Sequence, residues 1–109
     1  MTWEMTTMND KYEPVRKDIT IWVEKDGIAM DITYECEFTR VTSESQPGLA
    51  HTTIEWAVRE PIKVEFSNDE QEITWHYGDN MPAVIANAID RYEGIIDDKL
   101  NDKAQDNWL

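Results

Sequence analysis

The chain contains few residues of several types, and each shortage excludes a class of structure. Among 109 residues there is one cysteine, Cys36, so an internal disulfide and a zinc site built from several thiolates are both excluded. The two histidines, His51 and His76, are too few and too far apart to suggest a metal site without carboxylate help. No apolar run approaches the roughly 20 residues of a membrane-spanning helix. We therefore expect no metal, no cofactor and no membrane insertion.

The sequence also lacks the short motifs of common catalytic sites. It has no glycine-rich phosphate loop, no nucleophile elbow, no zinc-binding helix motif and no complete calcium loop. Its first residues, MTWEMTTMNDKYE, do not follow the basic-then-apolar order of a secretory signal peptide. These absences predict a non-enzymatic protein located in the cytoplasm.

Basic residues are scarce, and this shortage is the most informative one. Ten Lys and Arg stand against twenty-three Asp and Glu, which gives a formal net charge of −13. The excess is spread along the chain and is not gathered in a terminal tail, so the folded part itself has an acidic surface. Such a surface repels nucleic acid, because phosphates attract Lys and Arg. The composition predicts a protein partner with a basic surface and no direct nucleic-acid binding.

The clearest structural signal is a hairpin with its turn at residues 26–27. An Asp-Gly pair tolerates the positive backbone angles of a two-residue turn. This turn pairs Val23 with Met30 and Ile21 with Ile32, so one face is apolar. Side chains alternate across a strand, and the other face is therefore polar. Cys36 falls on the apolar face, which predicts a buried packing role.

The middle of the chain is predicted to hold further strands separated by loops. The second strand is expected to end near Val41 after a bulge or bend, and residues 42–50, with Pro-Gly at their centre, are predicted to be a loop. Alternating apolar residues resume from residue 52, and two interpretations are open at Glu60-Pro61. A hairpin with its loop at residues 59–61 is favoured, and one bent strand with a bulge at Pro61 is the alternative. A last strand has apolar side chains on one face at Ile73, Trp75 and Tyr77.

The C-terminal part of the chain is predicted to be one helix. Asp79 and Asn80 are suitable N-cap residues, and Pro82 suits the first turn. Apolar residues then recur at intervals of three and four as far as Leu100. Gly94 weakens the helix interior, but the apolar residues after it predict that the helix continues.

These elements predict an α+β fold, in which an antiparallel sheet of four or five strands has one C-terminal helix packed on one face. Residues 1–17, with Trp3, Met5 and Met8, are predicted to be an N-terminal arm, and residues 18–109 a single domain. The sequence leaves open the strand order and whether the protein forms a homo-oligomer.

The polar face of the sheet is the candidate binding surface. A large aromatic side chain, Trp22, lies among carboxylates there and resembles an interface anchor. The alternative is that the N-terminal arm covers Trp22 or that its ring lies flat on neighbouring side chains. Outward residues two apart, such as Glu35 and Glu37, are about 6.6 Å apart, comparable with neighbouring phosphates along a nucleic-acid strand. The predicted partner-binding residues are Asp18, Trp22, Glu24, Asp31, Glu35, Glu37, Glu55 and Glu65.

The layout of the chain resembles the short acidic accessory proteins of tailed bacteriophages. The segments concerned are DITIWVEKDGIAMDITYECEF, a Pro-Gly loop, IKVEF, and the terminal helix MPAVIANAIDRYEGIIDDKL, and they lie between residues 18 and 100. The resemblance implies a protein made in an infected bacterium, where nucleic-acid mimicry against restriction or CRISPR proteins is a known strategy. We therefore expect an inhibitor that occupies the basic nucleic-acid-binding surface of a host protein in the host cytoplasm. The alternative is a small structural or adaptor protein of an oligomer or virion.

Overall fold

The computed structural model describes residues 14–46 and 49–106. These residues form a four-stranded antiparallel sheet followed by two helices. The side chains of residues 42–52 lie outside this description. The α+β class is confirmed, and the prediction of a single C-terminal helix is wrong. The strands lie in chain order across the sheet. The elements are β1 Val15–Lys25, β2 Ile28–Gln46, β3 Leu49–Ser67, β4 Glu72–His76, α1 Ala83–Arg91 and α2 Glu93–Asp106.

Several features of the sequence fall outside the described residues. They are Trp3, Met5 and Met8, the Pro47-Gly48 pair, and the side chain of His51. The described part begins at Pro14, and β1 begins at Val15, within the segment assigned above to the N-terminal arm.

The hairpin between β1 and β2 has the predicted turn and register. Asp26 and Gly27 both have positive φ, 55° and 80°, as a two-residue turn with right-handed strand twist requires. Val23 pairs with Met30, and the same register continues without interruption along the whole of β1. The apolar residues of both strands therefore share one face.

The pairing of β2 with β3 corrects three predictions. β2 does not end near Val41 but runs to Gln46, and β3 begins at Leu49, so the residues around the Pro-Gly pair are strands and not a nine-residue loop. β3 is continuous through Pro61, so the favoured hairpin at residues 59–61 is wrong and the bent strand is right. Pro61 is accommodated because the ladder is irregular beside it, where one missing N–H costs least.

The shifts in pairing along β3 arise from extra residues in the strand. Thr33 pairs with Lys63 but Tyr34 pairs with Pro61, so Ile62 is an inserted residue, and Ala57 is inserted in the same way further along β3. Each insertion shifts the pairing by one residue and exchanges the faces of the side chains beyond it. The apolar alternation of β3 in the sequence therefore does not map onto a single face.

The last strand is shorter than predicted. β4 ends at His76, and Tyr77 lies in the following turn with 70% of its surface exposed. Trp75 is buried as predicted, and its Nε1 donates to the carbonyl oxygen of Asp79 at 2.8 Å. The backbone N–H of Tyr77 still donates to the carbonyl oxygen of Ile62 at 2.9 Å, and Gly78, at φ 103°, then turns the chain.

The C-terminal region divides at Tyr92, which has φ −102° and ψ 23° and separates α1 from α2. The break lies two residues before Gly94, which is itself helical. Pro82 occupies the N-cap position, and its carbonyl accepts hydrogen bonds from the backbone N–H groups of Ile85 and Ala86. No side chain caps α1, so the predicted N-cap role of Asp79 and Asn80 is wrong.

A single apolar cluster joins the sheet to both helices. Met30, Ile32 and Phe38 of β2 are fully buried in it, as are Ile85 of α1 and Leu100 of α2. The predicted burial of Cys36 is confirmed. Burying these side chains provides the main driving force for docking the helices on the sheet.

Three polar contacts fix the position of the helical region on the sheet. Tyr92 Oη donates to Asp26 Oδ2 in the first turn at 3.0 Å. Trp56 Nε1 donates to Asn101 Oδ1 of α2 at 3.1 Å. Arg59 of β3 and Asp97 of α2 form an ion pair, and the guanidinium carbon lies 6.0 Å from the centre of the Trp56 ring.

The molecule is elongated, with extents of 63 × 29 × 22 Å. Val15 of β1 pairs with Phe38 of β2, so β2 residues beyond Phe38 pair within the described part only with β3. In the described part, β2 and β3 therefore extend as a two-stranded projection beyond a three-stranded part that they form with β1.

Candidate functional site

The candidate site is the outer face of the sheet, opposite the apolar cluster. Alternation along the strands and the observed pairing place all eight predicted partner-binding residues on this face. Each of them is exposed or half-buried. They are Asp18, Trp22 and Glu24 of β1, Asp31, Glu35 and Glu37 of β2, and Glu55 and Glu65 of β3.

Three carboxylates form a row across the middle of this face. Asp18 of β1 pairs with Glu35 of β2, and Glu35 pairs with Glu60 of β3. Neighbouring strands are about 4.8 Å apart, so each carboxylate stands directly beside the next. We call these three residues the acidic row.

The acidic row depends on the insertion at Ile62. Without that extra residue, Glu60 would have the opposite phase and would point toward the apolar cluster. With it, Glu60 lies on the outer face and Arg59 lies opposite Cys36 on the inner face. Glu60 was not among the predicted surface residues, because the favoured hairpin placed it in a loop.

A second row contains the exposed tryptophan. Trp22 pairs with Asp31, Asp31 with Glu65, and Glu65 with Thr74 of β4. The two rows are separated by a third one, in which Thr20 and Thr33 share a hydrogen bond of 2.9 Å between their hydroxyl groups. Its other members are Lys63 and His76.

The outer face as a whole is strongly acidic. Its described Lys and Arg residues are Arg16, at one margin, and Lys63, in the row that contains Thr20 and Thr33. Arg16 Nε lies 3.3 Å from Glu37 Oε1, and its side chain is 70% exposed, so this pair screens little of the face. Lys63 and Glu72 were not predicted to lie on this face. The carboxylates of the face are Asp18, Glu24, Asp31, Glu35, Glu37, Glu55, Glu60, Glu65 and Glu72.

Two hollows adjoin Trp22, which is 50% exposed. One, of about 230 Å³, lies on the outer face, and its lining includes Trp22, Asp31, Glu65 and Glu72. The other, of about 380 Å³, runs over the edge of β1 toward α2. Its wall includes Lys99, Lys103, Asp102 and Asp106 of α2.

Two titratable groups on the inner face, Cys36 and Tyr34, are held in their neutral forms. Burial raises the pKa of the Cys36 thiol to about 11, and the nearby positive charge of Arg59 offsets part of that effect. Burial likewise raises the pKa of Tyr34 to about 12. Both groups are therefore protonated at neutral pH, and Cys36 is a packing residue there and not a thiolate nucleophile.

The described residues hold no group of three or more His, Cys, Asp or Glu side chains placed to bind a metal ion. Neither of the two helices is long and apolar enough to cross a membrane. Comparison with protein-family models, with curated proteins and with solved structures gives no match to this chain.

Proposed function

We propose that this chain is a non-enzymatic protein-binding module whose outer face occupies the basic nucleic-acid-binding surface of a partner protein. The observation that supports this most is the acidic row of Asp18, Glu35 and Glu60. Like charges directly opposite each other on a sheet are destabilising, and Asp31 and Glu65 form a further such pair. A cationic partner surface relieves these repulsions on binding, so the face is better suited to the bound state than to the free one.

The spacing of the carboxylates supports an imitation of nucleic acid. Along β2, Glu35 and Glu37 are separated by about 6.6 Å, and across the strands the acidic row repeats at about 4.8 Å. A basic channel that binds phosphates would meet negative charges at comparable intervals. The net charge of −13 also accelerates approach to a positive surface, by an amount that falls as salt is added.

Within this proposal, the partner is a nucleic-acid-binding host protein of a restriction or CRISPR type, and the site of action is the cytoplasm of an infected bacterium. This part depends on the resemblance to small acidic accessory proteins of tailed bacteriophages. The acidic face itself supports only the more general statement, a basic protein surface as the partner.

The test compares two triple variants that change the net charge by the same amount. The first replaces the acidic row, Asp18, Glu35 and Glu60, by lysine. The control replaces Asp69, Glu70 and Asp90 by lysine. These residues are also exposed, but they lie away from the outer face, in the turn before β4 and on α1. Each protein is immobilised, nuclease-treated bacterial lysate is passed over it, and retained proteins are eluted with salt or with a DNA or RNA duplex.

We expect wild type and control to retain the same nucleic-acid-binding protein, released by salt and by the duplex, and the acidic-row variant to lose it. Purified partner should then release its nucleic acid when wild-type protein is added. Equal retention by all three proteins, or retention that the duplex does not reverse, would contradict the proposal. Thermal unfolding by circular dichroism verifies that both variants fold.

A structural or adaptor role in an oligomer or virion is the second candidate. The observation that favours it is the two-stranded projection of β2 and β3, since an isolated two-stranded ribbon is only marginally stable in water. Contact with a second chain would stabilise such a projection. Sedimentation distinguishes the two candidates, because this role requires a stable oligomer and an inhibitor of a basic surface does not.

A further inference from the structure

The outer-face hollow beside Trp22 has an unusual lining for a shallow depression. Its volume is about 230 Å³, and it is bounded by an indole ring and by the carboxylates of Asp31, Glu65 and Glu72. Ser67 and Thr74 contribute hydroxyl groups, and no basic side chain is part of the lining. The hollow therefore combines an aromatic wall with three carboxylates and no lining base, while Lys99 and Lys103 line the adjoining hollow that shares Trp22 and Asp31.

Trp22 is exposed in a way that the fold does not explain. In the described part of the chain, the large hydrophobic side chains that are exposed are Trp22 and Tyr77. Tyr77 lies in a turn, where exposure is ordinary, but Trp22 lies in the middle of a regular strand among Thr and acidic residues. Half-exposed tryptophans of this kind are enriched at the centres of protein interfaces.

The pairing of the strands aligns the indole with the carboxylates. Trp22 is directly opposite Asp31, and Asp31 is directly opposite Glu65, at strand spacings of about 4.8 Å. A flat cation lying against the indole would thus have one carboxylate within a single strand spacing. A guanidinium group fits this arrangement better than an ammonium group, because it stacks on aromatic rings and donates two parallel hydrogen bonds to a carboxylate.

We propose that this hollow receives an arginine side chain of the partner, stacked on Trp22 and hydrogen-bonded to Asp31. The inference rests on the proposed function, and it adds that recognition is selective for arginine over lysine at this position. The other carboxylates of the outer face lack an exposed aromatic ring for stacking, so they contribute mainly through net charge and distinguish the two cations less.

The experiment titrates the protein with octa-arginine and with octa-lysine, which have equal length and charge, at about 0.01 M ionic strength, where attraction is strongest. Affinities are measured by calorimetry for wild type, for Trp22→Leu and for Tyr77→Leu. Tyr77→Leu is the matched control, since it removes the other exposed aromatic ring of the described part. The quantity compared is the ratio of the two dissociation constants.

We expect wild type and Tyr77→Leu to prefer octa-arginine by the same ratio. Trp22→Leu should reduce that ratio by about two- to five-fold, the value of one exposed cation–π contact. Affinity for octa-lysine should change little. Trp22→Phe, which keeps an aromatic ring and is the milder substitution for folding, should retain part of the preference.

Two results separate failure of this inference from failure of the proposed function. If Trp22→Leu keeps the wild-type ratio, or if wild type has no preference, the arginine site is refuted while the acidic face remains a binding surface. If wild type binds neither peptide at low salt, both proposals are refuted. A change in the indole Nε1–H resonance of Trp22 on adding octa-arginine, absent with octa-lysine, would support the stacked contact directly.

Discussion

Replacing Glu35 by glutamine should stabilise the protein while weakening its binding to a basic partner. Glu35 occupies the centre of the acidic row, between Asp18 and Glu60, so it takes part in two repulsive pairs at once. Glutamine has nearly the same shape and no charge, and the substitution removes both repulsions without altering the packing. The remaining carboxylates then have no acidic partner directly opposite in this row.

The size of the effect follows from the geometry. Directly opposed charged pairs on a sheet contribute 0.2–1 kcal/mol each, and the exposure of these side chains places them near the middle of that range, about 0.5 kcal/mol. Two pairs give about 1 kcal/mol of additional unfolding free energy. For a chain of this length that corresponds to a rise in Tm of about 4 °C. The difference should shrink at about 1 M salt, where the Debye length is about 3 Å.

The assay is thermal unfolding at low and high salt, with Glu24→Gln as the control. Glu24 lies on the same face of β1 but is opposite Ala29, so its substitution changes the net charge without removing an opposed acidic pair. We expect the Glu35 variant to exceed the control by most of the 4 °C at low salt. If the two variants behave alike, the gain comes from net charge alone, and the argument from opposed carboxylates is refuted.

Three further predictions concern the inner face and the helices. Burial raises the pKa of Cys36 from 9.0 to about 11 in the folded protein. The stability that the protonated thiol contributes is therefore complete below about pH 9 and is lost as the pH rises toward 11. Urea unfolding at pH 8 and at pH 10.5 should show this loss of unfolding free energy, and Cys36→Val should reduce the loss. Tyr92→Phe, which removes the hydrogen bond to Asp26, should lower the unfolding free energy by about 1 kcal/mol, and an unchanged value in urea would show that the contact is not formed in solution. Leu100→Ala should lower it by about 2–5 kcal/mol, since the side chain is fully buried against the sheet; a loss below 1 kcal/mol would mean that α2 is not docked as described.

Much of the first half of the fold could be predicted because its determinants are local. The turn at Asp26 and Gly27 requires residues that accept positive φ, and strict alternation on both sides of it leaves one register that buries the apolar side chains. The outer positions of Asp18, Trp22 and Glu35 follow from that register alone. The two strands therefore indicated the candidate face before any tertiary contact was known.

The second half of the fold was harder to predict, because residues inserted in a strand leave no simple signal in the sequence. The alternation of β3 predicts one face, but the extra residues Ala57 and Ile62 exchange the faces twice along the strand. Pro61 marked an irregularity without deciding between a loop and a bulge. The break between α1 and α2 was not predicted, because the apolar residues after Gly94 indicated one continuous helix; it lies at Tyr92, whose hydroxyl donates to Asp26.

The sequence by itself determined the acidic character, the first hairpin and the apolar core, because composition, turn chemistry and alternation act between residues close in the chain. Only the tertiary structure decided that Glu60 joins Asp18 and Glu35 in one row, and that Arg59 turns inward to pair with Asp97. These placements depend on how β3 aligns with β2 over its whole length. The alignment is decided by the combined burial of many distant side chains, and no local pattern contains that information.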